Sequence, residues 1–537
     1  MHYFFTTIEQ TKERGILLEG KSKRFSKKTI WLTVIIAVII VGGTITATTF
    51  LTKTSKQAYF LAELNAANFM TEVVEDRYSD ELDWAEKIKE TPSESNLELS
   101  AEFNDPSGYD STGMQELINN STISVMSGLD PENKEMKFKG SINVGEISIE
   151  DIEFYLTSDR MLASLSFLDQ YVQVKESEIG TLLYEIDPMS YTGEEEIEFD
   201  PFFDQTVLSE EDKEHFQDTY IKMVYEELPD DAFTSEDETI EVNGDSIATS
   251  KVTLQLSEEK IKDIMNKVLT EAEQDETLKE IIQNQATFDT ISTNSDELAQ
   301  ITEDFEAEIS KAKEAINDFS IPGGLTSTLW IKDDLIVQRD FSMEMGPSES
   351  ELMVFSLMGT QLMNEQNQTF DYELAVTDEF GTNTINLNGD LSWQDNVADD
   401  HITLSANAFE LSYTGTEELN DGTRNFDRRL TFQDESSSPM EVIWNGTSTY
   451  NNDQTNTEQY LSLTGEGISE NDFKLHINSN SKLVKSLDID TESMDVVNLG
   501  TMSSDEIDTF MMDEVTPQFQ QWLAEFYGSM FDAGAGF

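Results

Sequence analysis

After Pro322-Gly323-Gly324 the chain is written in period two until about residue 490. Val337/Arg339/Phe341/Met343/Met345, Phe370/Tyr372/Leu374/Val376, Ile402/Leu404/Ala406 and Leu475/Ile477 are typical runs. A step of two puts the apolar side chains of a strand on one face and its polar neighbours on the other. The runs are separated by Asp333-Asp334, Asn388-Gly389-Asp390 and Asn420-Asp421-Gly422 at hairpin spacing. This predicts an antiparallel meander, which few other folds accommodate.

Residues 95–200 carry the same signature in Leu97/Leu99/Ala101/Phe103, Met136/Phe138 and Ile152/Phe154/Leu156, with further strands at Leu165/Phe167 and Tyr171/Val174. A helical insert follows. Ser209 before Glu210-Glu211-Asp212 is an N-cap, Asn243-Gly244 is a type I′ hairpin turn, and Ser257 caps a second helix. A third helix runs over 296–319, with Asn294 and Glu297 as its capping box. Helices are also expected over 57–90 and from Ser503 to Met530, the latter broken at Pro517.

Thr29 to Leu51 contains no charged residue. As a helix it would be about 35 Å long, against about 30 Å for a bilayer core. Seven Lys/Arg precede it, clustered at Lys21 to Lys28, so the N-terminus is expected in the cytoplasm and the C-terminal bulk outside a cell membrane. A cleaved signal peptide is the competing reading, with a poor cleavage motif at Thr46-Ala47-Thr48.

The expected fold class is therefore α+β: one N-terminal transmembrane helix, then an ectodomain dominated by half-barrel-like antiparallel sheets packed with helices. The expected domains are a basic tail (1–28), the membrane helix (29–51), a juxtamembrane helix (52–93), a first sheet-plus-helices unit (94–321) and a second antiparallel sheet unit with C-terminal helices (322–537).

Charge narrows the partners. The chain has 34 basic and 107 acidic residues, a net −73. Such a surface repels nucleic acid and other polyanions. Its bland explanation is solubility in a salty or alkaline medium, the sharper one a cation site at Glu194-Glu195-Glu196 with Glu198 and Asp200, or at Asp399-Asp400. No spaced acidic loop with a central Gly supports the sharper reading. Cys is absent, which removes disulfides, thiol nucleophiles and lipid-modified cysteine.

Gln57-Ala58-Tyr59-Phe60-Leu61-Ala62-Glu63, the Val242-Asn243-Gly244 hairpin with Leu256-Ser257-Glu258-Glu259, and Leu329-Trp330-Ile331-Lys332-Asp333-Asp334 resemble an uncharacterised family of membrane-anchored envelope proteins of Bacillus-like Gram-positive bacteria. That resemblance is to a domain of unknown function and implies no catalytic residues. The strand pattern is also similar to half-barrel lipid carriers, in which a curved sheet closes over helices around an acyl chain.

Enzyme motifs are missing. The four His are far apart, no HExxH, GxSxG or Gly-rich phosphate loop occurs, and no catalytic, metal or cofactor residue can be named. Two clusters remain. Met343, Met345, Met353 and Met358 crowd one stretch and suggest either core packing or a pliable apolar pocket. Arg424, Arg428 and Arg429 are concentrated cations in an acidic region, expected to pair with Asp427, Asp434 and Glu435 or to contact an anion. The sequence thus points to a non-enzymatic envelope binding or scaffolding protein taking a lipid, another apolar ligand or an envelope protein. A carboxylate-dependent hydrolase of wall carbohydrate or peptide is the alternative.

Overall fold

Twenty strands form one sheet. The computed structural model describes residues 54–105, 113–145, 147–195, 197–203, 209–289, 295–489 and 494–524. The early strands are β1 (Ser93–Phe103), β2 (Ser121–Asp130), β3 (Glu135–Val144), β4 (Ile147–Thr157), β5 (Arg160–Ser164) and β6 (Tyr171–Lys175). β7 (Phe233–Val242) and β8 (Asp245–Leu256) form the Asn243-Gly244 hairpin, both turn residues having positive φ. The meander then runs β9 (Leu325–Lys332), β10 (Leu335–Met345), β11 (Met353–Met363), β12 (Asn367–Asp378), β13 (Gly381–Gln394), β14 (Val397–Ala406), β15 (Phe409–Asn420), β16 (Thr423–Asp434), β17 (Met440–Tyr450), β18 (Gln454–Thr464) and β19 (Phe473–Leu483). A short β20 (Val496–Asn498) adds to β6 in parallel.

The pairings read β7 to β19 in chain order, then β1 to β6, then β20. Two joints cross the expected boundary near residue 322. β8 pairs with β9, and β1 inserts beside β19, with Ala101 opposite Leu475. The expectation of an ectodomain of separate half-barrel sheets is therefore corrected to one continuous sheet. Local alternation fixes which residues share a face. It carries no label for a partner strand more than 300 residues away.

The helices are α1 (Ser55–Arg77), α2 (Ser79–Glu90), α3 (Met114–Asn119), α4 (Ile179–Ile186), α5 (Glu210–Phe216), α6 (Lys222–Glu227), α7 (Glu258–Gln274), α8 (Glu276–Asp289), α9 (Ser295–Asp318) and α10 (Ser504–Phe510). Thr54 caps α1 in a box with Gln57, Ser209 caps α5 with Asp212, and Ser257 caps α7. Asn294, the cap expected for α9, lies outside the described residues. Leu165 and Phe167, expected as a strand, lie in the turn between β5 and β6. The helix after α10 passes through Pro517 instead of breaking there. A wide π-type turn over Met511–Val515, closed by the Thr516 N–H on the Met511 carbonyl, stands just before that proline.

α7 and α9, with α1, cover one end of the sheet. Ile261, Ile264, Met265, Ile316 and Phe319 pack there with Leu254, Leu325, Leu329, Phe341 and Met343. At the other end, Ile179 of α4 and Phe199 and Phe203 of the following loop pack on Leu156 and Val174. No helix among the described residues is long and apolar enough to cross a membrane, and the expected span 29–51 lies outside them.

Candidate ligand-binding surface

The register of β10 to β17 aligns side chains into continuous rows. One runs Arg339, Gly359, Tyr372, Leu387, Leu404, Leu411, Phe432, Met440, each opposite the next. The row beside it runs Phe341, Leu357, Leu374, Ile385, Ala406, Phe409. Because neither row contains a bulge, all these residues share a face, and it is the face on which the helices lie. The opposite face carries rows such as Asp371, Asn388, Thr403, Ser412, Thr431, Glu441.

Cover stops part-way along the apolar face. Phe341 is 7% exposed beneath the helices. Two strands on, Leu374 is 42% exposed, as are Ile385 and Phe409, and Met440 is 50% exposed. The half-barrel expectation packs one face of the strands between residues 329 and 463 against helices such as 296–319, with a methionine-rich gap between sheet and helices. α9 instead packs chiefly on α7 and α8, at one end. From β12 to β19 the open face measures about 34 Å, at about 4.8 Å per strand. Two aromatic rings tile it. A Cβ on Gly389 would meet the Phe370 ring at 2.3 Å, and one on Gly359 would meet the Tyr372 ring at 2.3 Å. The rings lie over those glycines and leave a low apolar floor.

One edge of this face is walled by α1 and α2, helices of 23 and 12 residues joined at Tyr78. Together they span about 54 Å, close to the width of the twelve strands from β8 to β19. They follow the line of hairpin turns. Asn65 Nδ2 donates to Asp334 O at 3.2 Å, and Lys87 Nζ to Asn452 O at 3.4 Å. Near the start, the Tyr59 hydroxyl bonds Ser327 at 2.6 Å, and Arg339 pairs with Glu63 while both are nearly buried.

Where the two helices join, a buried charge cluster fastens them to the sheet. Arg77 Nη2 donates to Asp400 Oδ2 at 2.7 Å, Arg424 Nε to Glu81 Oε1 at 2.6 Å, and Arg428 Nη2 to Glu417 Oε1 at 2.6 Å. Arg424 also reaches Glu417 at 3.0 Å and the Arg77 carbonyl at 2.6 Å. Three guanidinium groups thus face three carboxylates. Arg424 stacks over Tyr78 at 4.6 Å and Arg428 over Trp444 at 4.6 Å. Burial pushes the Glu417 carboxyl up, but Arg77, Arg428 and Arg424 outweigh it and hold it below the usual carboxylate range. Burial is also the main cause that pushes the Tyr78 phenol up to about 12.

These contacts place the residues singled out from the sequence. Arg424 and Arg428 are taken up by Glu81 and Glu417, not by Asp434 or Glu435. Arg429 lies on the polar face with Asp427 and Glu441. Asp434 instead accepts from the Ser436 and Ser437 backbone. Met343 and Met345 are core residues, 3% and 1% exposed. Met353 is opposite Met345, while Met358 is 42% exposed on the polar face, so the four methionines line no common cavity. Among the carboxylates, Glu195 accepts from the Thr192 and Gly193 backbone and Asp400 belongs to the charge cluster. No group of three or more His, Cys, Asp or Glu able to hold a metal ion occurs among the described residues. The sequence reading missed the open face itself. The signal was arithmetic: the helical insert is too short to cover so many strands.

No protein family matches the chain, and no curated protein matches its sequence. Among solved structures it is similar to the CymD monoaromatic hydrocarbon channel, at 8% identity, covering 83% of this chain and 97% of that one, TM-score 0.19. It is also similar to Pseudomonas aeruginosa OccK2 (OpdF) in complex with glucuronate, at 6% identity over 74% and 96%, TM-score 0.23. A mutant Rh. blastica porin matches at 5% identity over 73% and 98%, TM-score 0.20. These structures are channels and porins, and the scores are too low to place the chain among them. The single-pass expectation is corrected all the same. With it go the Gram-positive cell-membrane setting, the cytoplasmic N-terminus with an extracellular domain, and membrane contact through one helix. Among the described residues the chain is built on one continuous sheet, and no helix there is long and apolar enough to cross a membrane.

Proposed function

We propose that this protein binds apolar chains, such as an acyl chain, lengthwise on the open face of its sheet. The observation that carries the reading is the uncovered continuation of the core face, from Leu374 and Leu387 through Phe432 to Met440. Contiguous exposed apolar surface of this extent is uncommon on a soluble protein and marks a binding site. The acidic opposite face supplies solubility. Each methylene fully withdrawn from water contributes about 0.8 kcal/mol, and less on a face open to one side. No acid–base pair or nucleophile is needed, so the reading is of a binding protein and not an enzyme.

The test is a titration of the full-length protein with cis-parinaric acid. Saturable fluorescence is expected, weakened at least tenfold by Leu387→Glu or Phe432→Glu and unchanged by Met358→Glu on the polar face. Absence of saturable binding, or equal loss in all three variants, contradicts the reading.

A further inference from the structure

The opposite, polar face holds a cavity of about 600 Å³ over β19, β1, β2, β3 and β4. That volume is in the usual range of about 300–1,000 Å³ for small-molecule clefts. Two cross-strand rows form its floor. The first is Asn478, Glu98, Ser124 and Ser141. The second runs from Asn480 and Asn96 through Met126 to Lys139 and Glu153.

A β-bulge builds one wall. Gly140 pairs with Ile152 and Ile142 with Ile149, so Ser141 stands against two residues, Glu150 and Asp151. Asp151 takes φ +59°, and a bulge of this kind re-aims side chains and bends its strand. The floor beneath is held rigid. Glu153 accepts from Lys139 Nζ at 2.7 Å, Tyr155 OH at 2.8 Å and Tyr171 OH at 2.6 Å. Asn96 Nδ2 donates to Asn480 Oδ1 at 3.2 Å.

We propose that this cavity binds a neutral carbohydrate. Amides that both donate and accept, hydroxyls and carboxylates stand side by side here at strand spacing, around Met126 and Lys139, and such a mixture suits neighbouring sugar hydroxyls. Glu98 and Asp151 are exposed and have no hydrogen-bond or ion-pair partner among the described residues, so they are free to accept. The net −73 of the chain repels polyanionic ligands but not a neutral sugar. The site lies on the face opposite the apolar surface and stands independently of it.

The experiment is calorimetry on the full-length protein with cellotriose, maltotriose and chitotriose, and with spermidine as a cationic control. Saturable binding of at least one trisaccharide is expected. Asn480→Ala and Glu98→Gln should each weaken it at least fivefold with the melting temperature kept, and Phe432→Glu on the other face should leave it unchanged. Failure of all three sugars, binding of spermidine alone, or sugar binding indifferent to both cavity variants overturns the proposal.

Discussion

Glu417 has no side-chain exposure, yet it remains charged, because Arg77, Arg424 and Arg428 all reach it. Removing its charge leaves buried guanidinium groups uncompensated. Glu417→Gln should therefore cost about 3–5 kcal/mol of stability at neutral pH, read from urea unfolding. The sign with pH is also fixed. The folded carboxyl titrates below its unfolded value near 4.3, so its contribution is complete above that value and is lost as pH falls through the lower, folded one. The parent protein should lose stability below about pH 4, and the Gln variant should lose less over the same interval. Equal acid sensitivity would contradict the role given to Glu417. Arg424 and Arg428 were legible in the sequence, as rare cations in an acidic stretch, whereas Arg77, which joins them on Glu417, was not singled out. Their partners were not: Glu81 is 343 positions from Arg424, and 107 carboxylates give no clue which one it meets.

At the scale of elements, caps and most hairpin turns were legible, but Asn388-Gly389-Asp390, expected as a turn, lies inside β13, where Gly389 makes room for the Phe370 ring. Asn243-Gly244, Asp333-Asp334, Ser209 and Ser257 each act through their immediate neighbours, and local chemistry settles them. β11 was read only as a crowd of methionines, because Met carries no strand signal of its own. The α1–α2 strap was read as a helix, but its line across the hairpin turns depends on contacts to strands hundreds of residues later. Tyr59→Phe tests that line by removing only the bond to Ser327. A loss of about 1 kcal/mol in the unfolding free energy is expected. The sheet ends at β7, which has one strand partner among the described residues and carries Glu236, Asp237, Glu238 and Glu241. Charges of this kind block edge-to-edge pairing. Replacing all four with Thr should produce concentration-dependent self-association by light scattering beyond that of the parent, and a variant that scatters as the parent does would show that the edge is protected otherwise.

For the whole molecule, the excess of carboxylates must work against compaction wherever they are not paired. Raising ionic strength from about 0.05 to about 1 M should raise the melting temperature, since screening shortens the reach of like charges to a few ångströms. A salt-independent melt would mean that the charges are locally compensated. The sheet's two faces give the molecule its larger logic. One carries hydroxyls, amides and acids; the other is a core face that its helices cover only at the ends. Period two in the sequence showed that two such faces exist, but not which stretches would remain uncovered, since coverage follows from where the helices dock. The most direct measurement is photolabelling of the full-length protein with a diazirine-bearing palmitic acid, followed by peptide mapping of the adducts. The account predicts adducts on the strands bearing Leu374, Leu387, Leu404 and Phe432, displaced by unlabelled palmitate. Adducts centred on the polar face around Met358, or none that palmitate displaces, would contradict it.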